Sequence, residues 1–270
     1  MKPEDFDFIS TFLKDRSGLV LTPDKAYLLE SRLMPVARKN GMKDLDELIE
    51  AVRSGGKNEL LVDVTEAMTT NESFFFRDTK PFDLFRSFVL PDLMETLKIK
   101  KSFRIFCAAA SSGQEPYSLA MILKEEAAKL AGWRHEIIGT DISKEILDKA
   151  ETGRYSQFEV QRGLPIQMLV KYFTQQEEQW QINQDIRDLV KYKEYNLLGD
   201  LKPLGQFDVV FCRNVLIYFD RETKGKVLDG IADLMPEHGT LFLGGAETVL
   251  GISERFKPVQ GQRGVYSVVK

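Results

Sequence analysis

The chain is poor in the residues that build metal centres, disulfide frameworks and hydrolase triads, with 2 cysteines and 2 histidines among 270 residues. Neither His135 nor His238 lies at ligand spacing from another His or Cys. That argues against a structural zinc site and against any metal cofactor, and it leaves a Ser-His-Asp hydrolase few candidates for its base. Cys107 and Cys212 sit inside apolar, strand-like runs and read as reduced, buried thiols that fill core volume. Long apolar runs are missing too. The longest, at 207–212 and 240–245, fall far short of the roughly 20 residues that cross a bilayer, so no membrane insertion is expected. The start, Met1-Lys2-Pro3-Glu4-Asp5, is acidic where a secretory signal would be basic and then apolar, and a cytoplasmic location is expected. There is no basic excess: a net charge of -4 and a pI near 5.5 argue against a dedicated nucleic-acid binder.

What the chain does have is enough apolar residues, 43%, for one large core with or without a smaller satellite. The first hundred residues read as helical. Thr22-Pro23-Asp24 pairs a capping residue with proline at a first helical position, and Tyr27, Leu28, Leu33 and Val36 follow at helical spacing before Asn40-Gly41. Residues 44–52 repeat the pattern through Leu45, Leu48, Ile49 and Val52, and a further helix is predicted over 58–68. From Phe103 onward the rhythm changes to short apolar runs alternating with amphipathic stretches. Strands are predicted at 103–109, 136–141, 190–195, 207–213, 240–244 and 264–269, with helices at 115–131, 144–153 and 221–234. This is the pattern of an α/β fold with a doubly wound, Rossmann-like sheet, whose ligand lies beyond the carboxyl ends of the strands. The polar, Gln-rich stretch 174–194 breaks the alternation and reads as a small antiparallel β insertion.

Four stretches carry chemistry. In the first, the strand ending at Cys107 runs through Ala108-Ala109-Ala110-Ser111-Ser112-Gly113 into a helix near Glu115. Small residues let a nucleotide-like ligand approach the backbone at a helix N-terminus, although such a loop can equally serve tight packing. In the second, Ile137-Ile138-Gly139-Thr140-Asp141 closes the next strand on an acid. Asp141 could accept hydrogen bonds from both hydroxyls of a ribose, or cap the following helix, a role for which Ser143 competes. In the third, a buried strand runs into Arg213-Asn214, and Asn196 closes the preceding strand, either lining the ligand crevice or making an ordinary turn. The fourth is Met68-Thr69-Thr70-Asn71-Glu72-Ser73-Phe74-Phe75-Phe76-Arg77-Asp78, a polar cluster beside three consecutive phenylalanines. It combines an apolar anchor with a presented polar face.

With these stretches in view, the chain closely resembles the chemotaxis receptor methyltransferases, the CheR family. The likeness rests on Thr69-Thr70-Asn71-Glu72 with Phe74-Phe75-Phe76-Arg77, Ser111-Ser112-Gly113-Gln114-Glu115-Pro116-Tyr117-Ser118, Gly139-Thr140-Asp141, Asn196-Leu197-Leu198 and Phe211-Cys212-Arg213-Asn214-Val215-Leu216-Ile217-Tyr218-Phe219. It spans essentially the whole chain. Ser73 stands where relatives commonly carry threonine, and Gln114 replaces a common acid while Glu115 is retained.

The resemblance implies a class I S-adenosylmethionine-dependent methyltransferase fold, with an all-α N-terminal domain and linker over 1–78. The catalytic domain would span 79–270 and carry the small β insertion at about 174–194. It implies that Asn71, Ser73, Arg77, Glu115, Asp141, Asn196, Leu197, Arg213 and Asn214 line the S-adenosylmethionine site. The implied reaction is methyl esterification of glutamate side chains on chemoreceptors, with S-adenosylhomocysteine as the second product. A glutamate carboxylate is already ionised at neutral pH, so the reaction needs alignment more than a general base. Arg77 and Tyr218 are the candidates for steering it. On the N-terminal helix, Lys25, Arg32 and Lys39 recur at seven-residue spacing beside Arg38. This is a solvated basic face by charge spacing alone, whereas the resemblance implies that Lys25, Arg32 and Arg38 dock acidic receptor helices. The 174–194 stretch is short beside relatives that tether a receptor's C-terminal peptide, so tethering is not expected. A monomer is expected.

Overall fold

The computed structural model describes residues 2–269, which divide into two compact units. The helical unit comprises Met1–Thr70 together with Tyr218–Thr223. Its helices are α1 (Pro3–Ser17), α2 (Ala26–Lys39), α3 (Leu45–Arg53) and α4 (Asn58–Met68). Local chemistry sets their ends. Pro3 opens α1, Glu4 and Asp5 lie in its first turn, Lys14 and Arg16 in its last, and Gly18 ends it in the left-handed conformation. Asp44 caps α3 by accepting the Glu47 amide at 3.0 Å. The expected Thr22 cap is different in kind: Pro23–Lys25 form a separate 3-10 turn and α2 begins at Ala26. Ile9, Leu13, Leu29, Leu33, Leu48 and Val64 make the core of this unit, each contributing about 1.5–3 kcal/mol on full burial.

The sheet unit comprises Asn71–Ile217 and Lys224–Lys270. It opens with α5 (Lys80–Leu84), a π-type stretch over Phe85–Val89 and α6 (Leu90–Thr96), which run on without a break. Next come β1 (Ser102–Ala108), α7 (Gln114–Glu125), β2 (Arg134–Asp141) and α8 (Lys144–Thr152). A small excursion holds β3 (Arg154–Ser156), α9 (Gln157–Gln161), α10 (Ile166–Tyr172), β4 (Phe173–Gln176) and β5 (Gln179–Ile182). The chain then forms α11 (Gln184–Arg187), β6 (Val190–Glu194), β7 (Val209–Cys212), α12 (Arg221–Asp233), β8 (Thr240–Leu243), β9 (Phe256–Pro258) and β10 (Val265–Val268). The large sheet has seven strands in the order β6-β2-β1-β7-β8-β10-β9. Its first five strands are parallel, and β10 runs antiparallel to β8 and β9. The α/β class expected from the alternation is present. The order reverses at β1, whose neighbours are β2 on one side and β7 on the other.

The antiparallel insertion differs from the expected 174–194 stretch at both ends. Its sheet, β3-β5-β4, recruits Arg154–Ser156 upstream, a strand too short to show periodicity, and ends at Ile182. Val190–Glu194 belongs to the large sheet instead. As an edge strand with Lys191, Lys193 and Glu194 exposed, it alternates like a hairpin arm. Helix α7 stops at Glu125, short of the expected 131, and β9 was not anticipated. Cys107 and Cys212 are buried free thiols on neighbouring strands. Aromatic packing anchors the sheet: Phe211 stacks on Phe242 at 4.3 Å, and Phe82 and Phe85 close over Phe211. Among the described residues no helix is long and apolar enough to cross a membrane.

Candidate functional site

The carboxyl edge of the parallel strands gathers most of the residues singled out in the sequence. Leaving β1, the backbone adopts positive φ at Ala109 (58°), Ser111 (51°) and Gly113 (90°). For the two non-glycine residues this is costly and must be held by surrounding bonds. The Asp141 carboxylate, at the end of β2, supplies one: Oδ2 accepts the Ser111 amide at 2.9 Å, while Oδ1 accepts the Ser143 amide at 3.1 Å. The Ser111 hydroxyl donates to the Asn71 carbonyl at 3.0 Å, and the Tyr155 hydroxyl donates to the Ser112 carbonyl at 2.7 Å. Gly113 admits no side chain, because a Cβ there would lie 2.6 Å from the Tyr192 hydroxyl. The choice left open at the end of β2 is settled: Ser143, not Asp141, caps α8, taking the Ile146 amide on its hydroxyl.

Beyond β7, Arg213 is almost wholly enclosed, its side chain 1% exposed. Its guanidinium donates to Glu115 Oε2 at 2.7 Å, to Asp78 Oδ2 at 2.7 Å and to the Arg77 carbonyl at 2.9 Å. Glu115 is 12% exposed, and burial pushes its carboxyl pKa up while Arg213 opposes the shift. The Arg213 Nε atom is buried without a hydrogen-bond partner. Asn214 follows with φ 59°. Glu247, beyond β8, holds it there: its carboxylate accepts the amides of Asn214 at 2.8 Å, Val215 at 3.0 Å and Gly244 at 2.6 Å. Asn196 takes the Leu198 amide on its side-chain oxygen at 3.0 Å, so the ordinary turn role is present, and Leu197 beside it is half-buried.

The 71–77 segment divides its three phenylalanines. Phe75 and Phe76 are buried, Phe75 packing edge-on to Tyr155 and Phe173, whereas Phe74 stays half-buried. Arg77 donates to the Glu72 carbonyl at 2.8 Å and lies over the Phe74 ring. Ser73 is half-buried. Thus Asn71, Ser73, Arg77, Glu115, Asp141, Asn196, Leu197, Arg213 and Asn214 all fall in the sheet unit.

Tyr218, Lys25, Arg32 and Arg38 fall in the helical unit. The Tyr218 carbonyl accepts the Val20 amide at 2.9 Å. Lys25 and Arg38 are exposed. Arg32 is half-buried and turned to another use, donating to the carbonyls of Met68 at 2.9 Å and Thr69 at 2.8 Å and to the Thr70 hydroxyl at 3.2 Å. It closes the C-terminal end of α4, where carbonyls lack helical partners.

Two members of the site escaped the sequence reading. Asp78 closes the fourth stretch, where its residue type alone carries no sign of a partner across the sheet. Glu247 lies three residues past Gly244, and the available signal was an acid close behind the carboxyl end of a parallel strand, the same placement that marked Asp141.

The family model described as "CheR methyltransferase, all-alpha domain" matches residues 4–69, and "CheR methyltransferase, SAM binding domain" matches residues 71–265. The chain is similar to the chemotaxis protein methyltransferase Cher2 of Pseudomonas putida, with 36% identity over 97% of this chain and 96% of that one. It is also similar to chemotaxis protein methyltransferase 1 of Pseudomonas aeruginosa, with 39% identity over 97% and 96%. The chemotaxis protein methyltransferase of Escherichia coli shares 32% identity over 98% of this chain and 91% of that one.

Proposed function

The chain belongs to the CheR methyltransferase family and carries its S-adenosylmethionine-binding domain, and on that premise we propose that it methylates glutamate carboxylates on the cytoplasmic helices of chemoreceptors, giving glutamyl methyl esters. The observation that carries the reading is the whole-length match together with a carboxyl edge whose donor set suits a zwitterionic nucleoside. The Asp141 carboxylate, which accepts the Ser111 and Ser143 amides, stands at the carboxyl end of β2, the place where an acid takes a ribose diol in doubly wound sheets. Glu115 suits an ammonium group, and the partnerless buried Nε of Arg213 is a donor that a carboxylate or carbonyl would satisfy. Asn71, Ser73, Asn196, Leu197 and Asn214 complete the lining in this proposal.

S-adenosylmethionine, when bound, supplies the electrophilic methyl carbon on its sulfonium sulfur. The chain's own part is to hold, orient and shield. A glutamate acceptor is already ionised at neutral pH, its reference pKa being about 4.3, so no side chain has to remove a proton. Arg77 and Tyr218 are assigned to steering that carboxylate by hydrogen bonding. A tight ion pair would make the acceptor a poorer nucleophile, so modest contact serves better than a bidentate clamp. Lys25, exposed in the 3-10 turn before α2, and Arg38, exposed on α2, offer the positive face for acidic receptor helices. Arg32 adds its charge there, while its hydrogen bonds fasten α4. The enzyme acts as a cytoplasmic monomer in this reading. The test is transfer of labelled methyl to receptor cytoplasmic domains as a base-labile ester. Label that survives mild alkali would reject it.

A further inference from the structure

Arg77 does not stand alone on the Phe74 ring. A second guanidinium, that of Arg162, lies over the ring at 4.3 Å from its centroid, while Arg77 lies at 5.3 Å. Arg162 follows α9, in the excursion that carries the small sheet. The same arginine bonds the Glu72 carboxylate at 2.6 Å, and Arg77 bonds the Glu72 carbonyl at 2.8 Å. Glu72 is therefore held by both arginines, by Arg162 through its carboxylate and by Arg77 through its carbonyl, and the Phe74 ring lies against both. Gly163 makes this approach possible. It has φ 83°, and a Cβ there would lie 2.1 Å from the Phe75 carbonyl oxygen and 3.2 Å from the Phe74 ring. Only a glycine lets the loop press this closely on the 74–75 backbone.

We propose that Arg162 is a positioning residue for Arg77: from the small subdomain it shares the Phe74 ring with Arg77 and bonds Glu72, which fixes the 71–77 segment and the direction of the Arg77 side chain. The Arg162–Glu72 pair is open to solvent, 42% and 53% exposed, and as an ion pair alone it would count for little. Its hydrogen bond nevertheless holds the Glu72 carboxyl below the ordinary range. The two ring contacts supply what the charges do not, a defined orientation, because a guanidinium can stack on a ring face where an ammonium does not. The proposal rests on the steering role assigned to Arg77. It gives the small subdomain a part in building the site, through the loop at 162–163.

The experiment uses the full chain. The side-chain Nε–Hε resonance of Arg77, identified by its loss in R77K, is expected to be displaced by the Phe74 ring current in the unmodified protein. In R162A, and in R162K, which keeps the charge without the plane, it should move to the position of a freely rotating arginine. Methyl transfer to receptor cytoplasmic domains should fall about ten- to a hundredfold in kcat, the size of loss a small misplacement brings, with a smaller loss of cofactor affinity, since Asn71 and Ser73 of the same segment are assigned to that lining. In an R77K background R162A should add almost nothing, since residues acting as one unit are not additive. An Arg77 resonance unmoved in R162A, or losses that multiply, would overturn the proposal. If R77K leaves transfer intact, the steering role falls, while the resonance still decides whether Arg162 orients Arg77.

Discussion

The two edges of the parallel sheet are closed by the same parts, an arginine set among carboxylates and carbonyls, at very different exposure. At the amino edge Arg104 bonds Glu136 at 2.7 Å and the carbonyls of Leu204 and Gln206, and lies on the Phe207 ring. Asp208 there takes the Arg104 amide and pairs with His238. The Arg104 and Glu136 side chains are 32% and 29% exposed. At the carboxyl edge Arg213 is 1% exposed between Glu115 and Asp78, and the loops beside it carry positive φ at Ala109, Ser111 and Asn214. One edge ties strand ends together with pairs that water can replace. The other uses one enclosed pair, Arg213–Glu115, with the half-exposed Asp78 beside it, and strained backbone to hold polar groups in fixed directions, which a binding site requires and simple closure does not.

That contrast can be broken by experiment. Replacing Arg213 with Met should cost roughly 3–5 kcal/mol in urea denaturation, because an enclosed carboxylate loses its partner. The lower end is expected, since the already raised pKa of Glu115 lets it take up a proton. A cost near 1 kcal/mol would make the two edges equivalent. Next in size, Asp141→Ala should weaken S-adenosylmethionine binding about a hundredfold by calorimetry, as hydrogen bonds to a charged acceptor are each worth about 1.5–3 kcal/mol. Asp208→Ala, at the opposite edge, should leave that affinity unchanged. Arg104→Met should then lower stability by only about 1 kcal/mol or less, a partly exposed pair being screened, with cofactor affinity intact.

The smallest effect is one of sign. Hydrogen bonds from Lys191 and Arg104 lower the Glu136 pKa below its ordinary 4.5, so its stabilisation is present above that value and lost as the pH falls through the lowered one. Burial raises that of Glu115, so its contribution is present below 4.5 and lost as the pH rises through the raised one. Melting temperatures followed through the acid range should therefore rise less steeply with pH in Glu136→Gln and more steeply in Glu115→Gln. Slopes that change in the same direction would contradict the contrast.

The parts of this architecture legible in the sequence are those with a repeating physical signal. Helices α2, α3 and α4 announce themselves by apolar spacing, and β1, β2, β7 and β8 by continuous apolar runs, because each buries a face several residues long. By contrast β3, β9, α9 and α10 are short and lack a continuous apolar run, so they show neither signal and are fixed by tertiary contacts. At the site, Asp141 and Arg213 were legible because they end strands. The uses of Arg32, Glu247 and Arg162 were not, because each bonds residues far away in sequence: Arg32 reaches Met68, Glu247 reaches Asn214, and Arg162 reaches Glu72. No local pattern encodes such a partner.

The assignment of Tyr218–Thr223 to the helical unit has a genetic consequence. Within this unit Lys14 bonds Asp220 at 2.7 Å and Val20 bonds the Tyr218 carbonyl. The chain therefore passes between its two units at three points, after Thr70, Ile217 and Thr223. A gene fusion that swapped helical domains between relatives by a single crossover at residue 70 would leave the newcomer facing a foreign six-residue insert. Exchange of this domain, whether by recombination or by design, has to carry residues 218–223 with it.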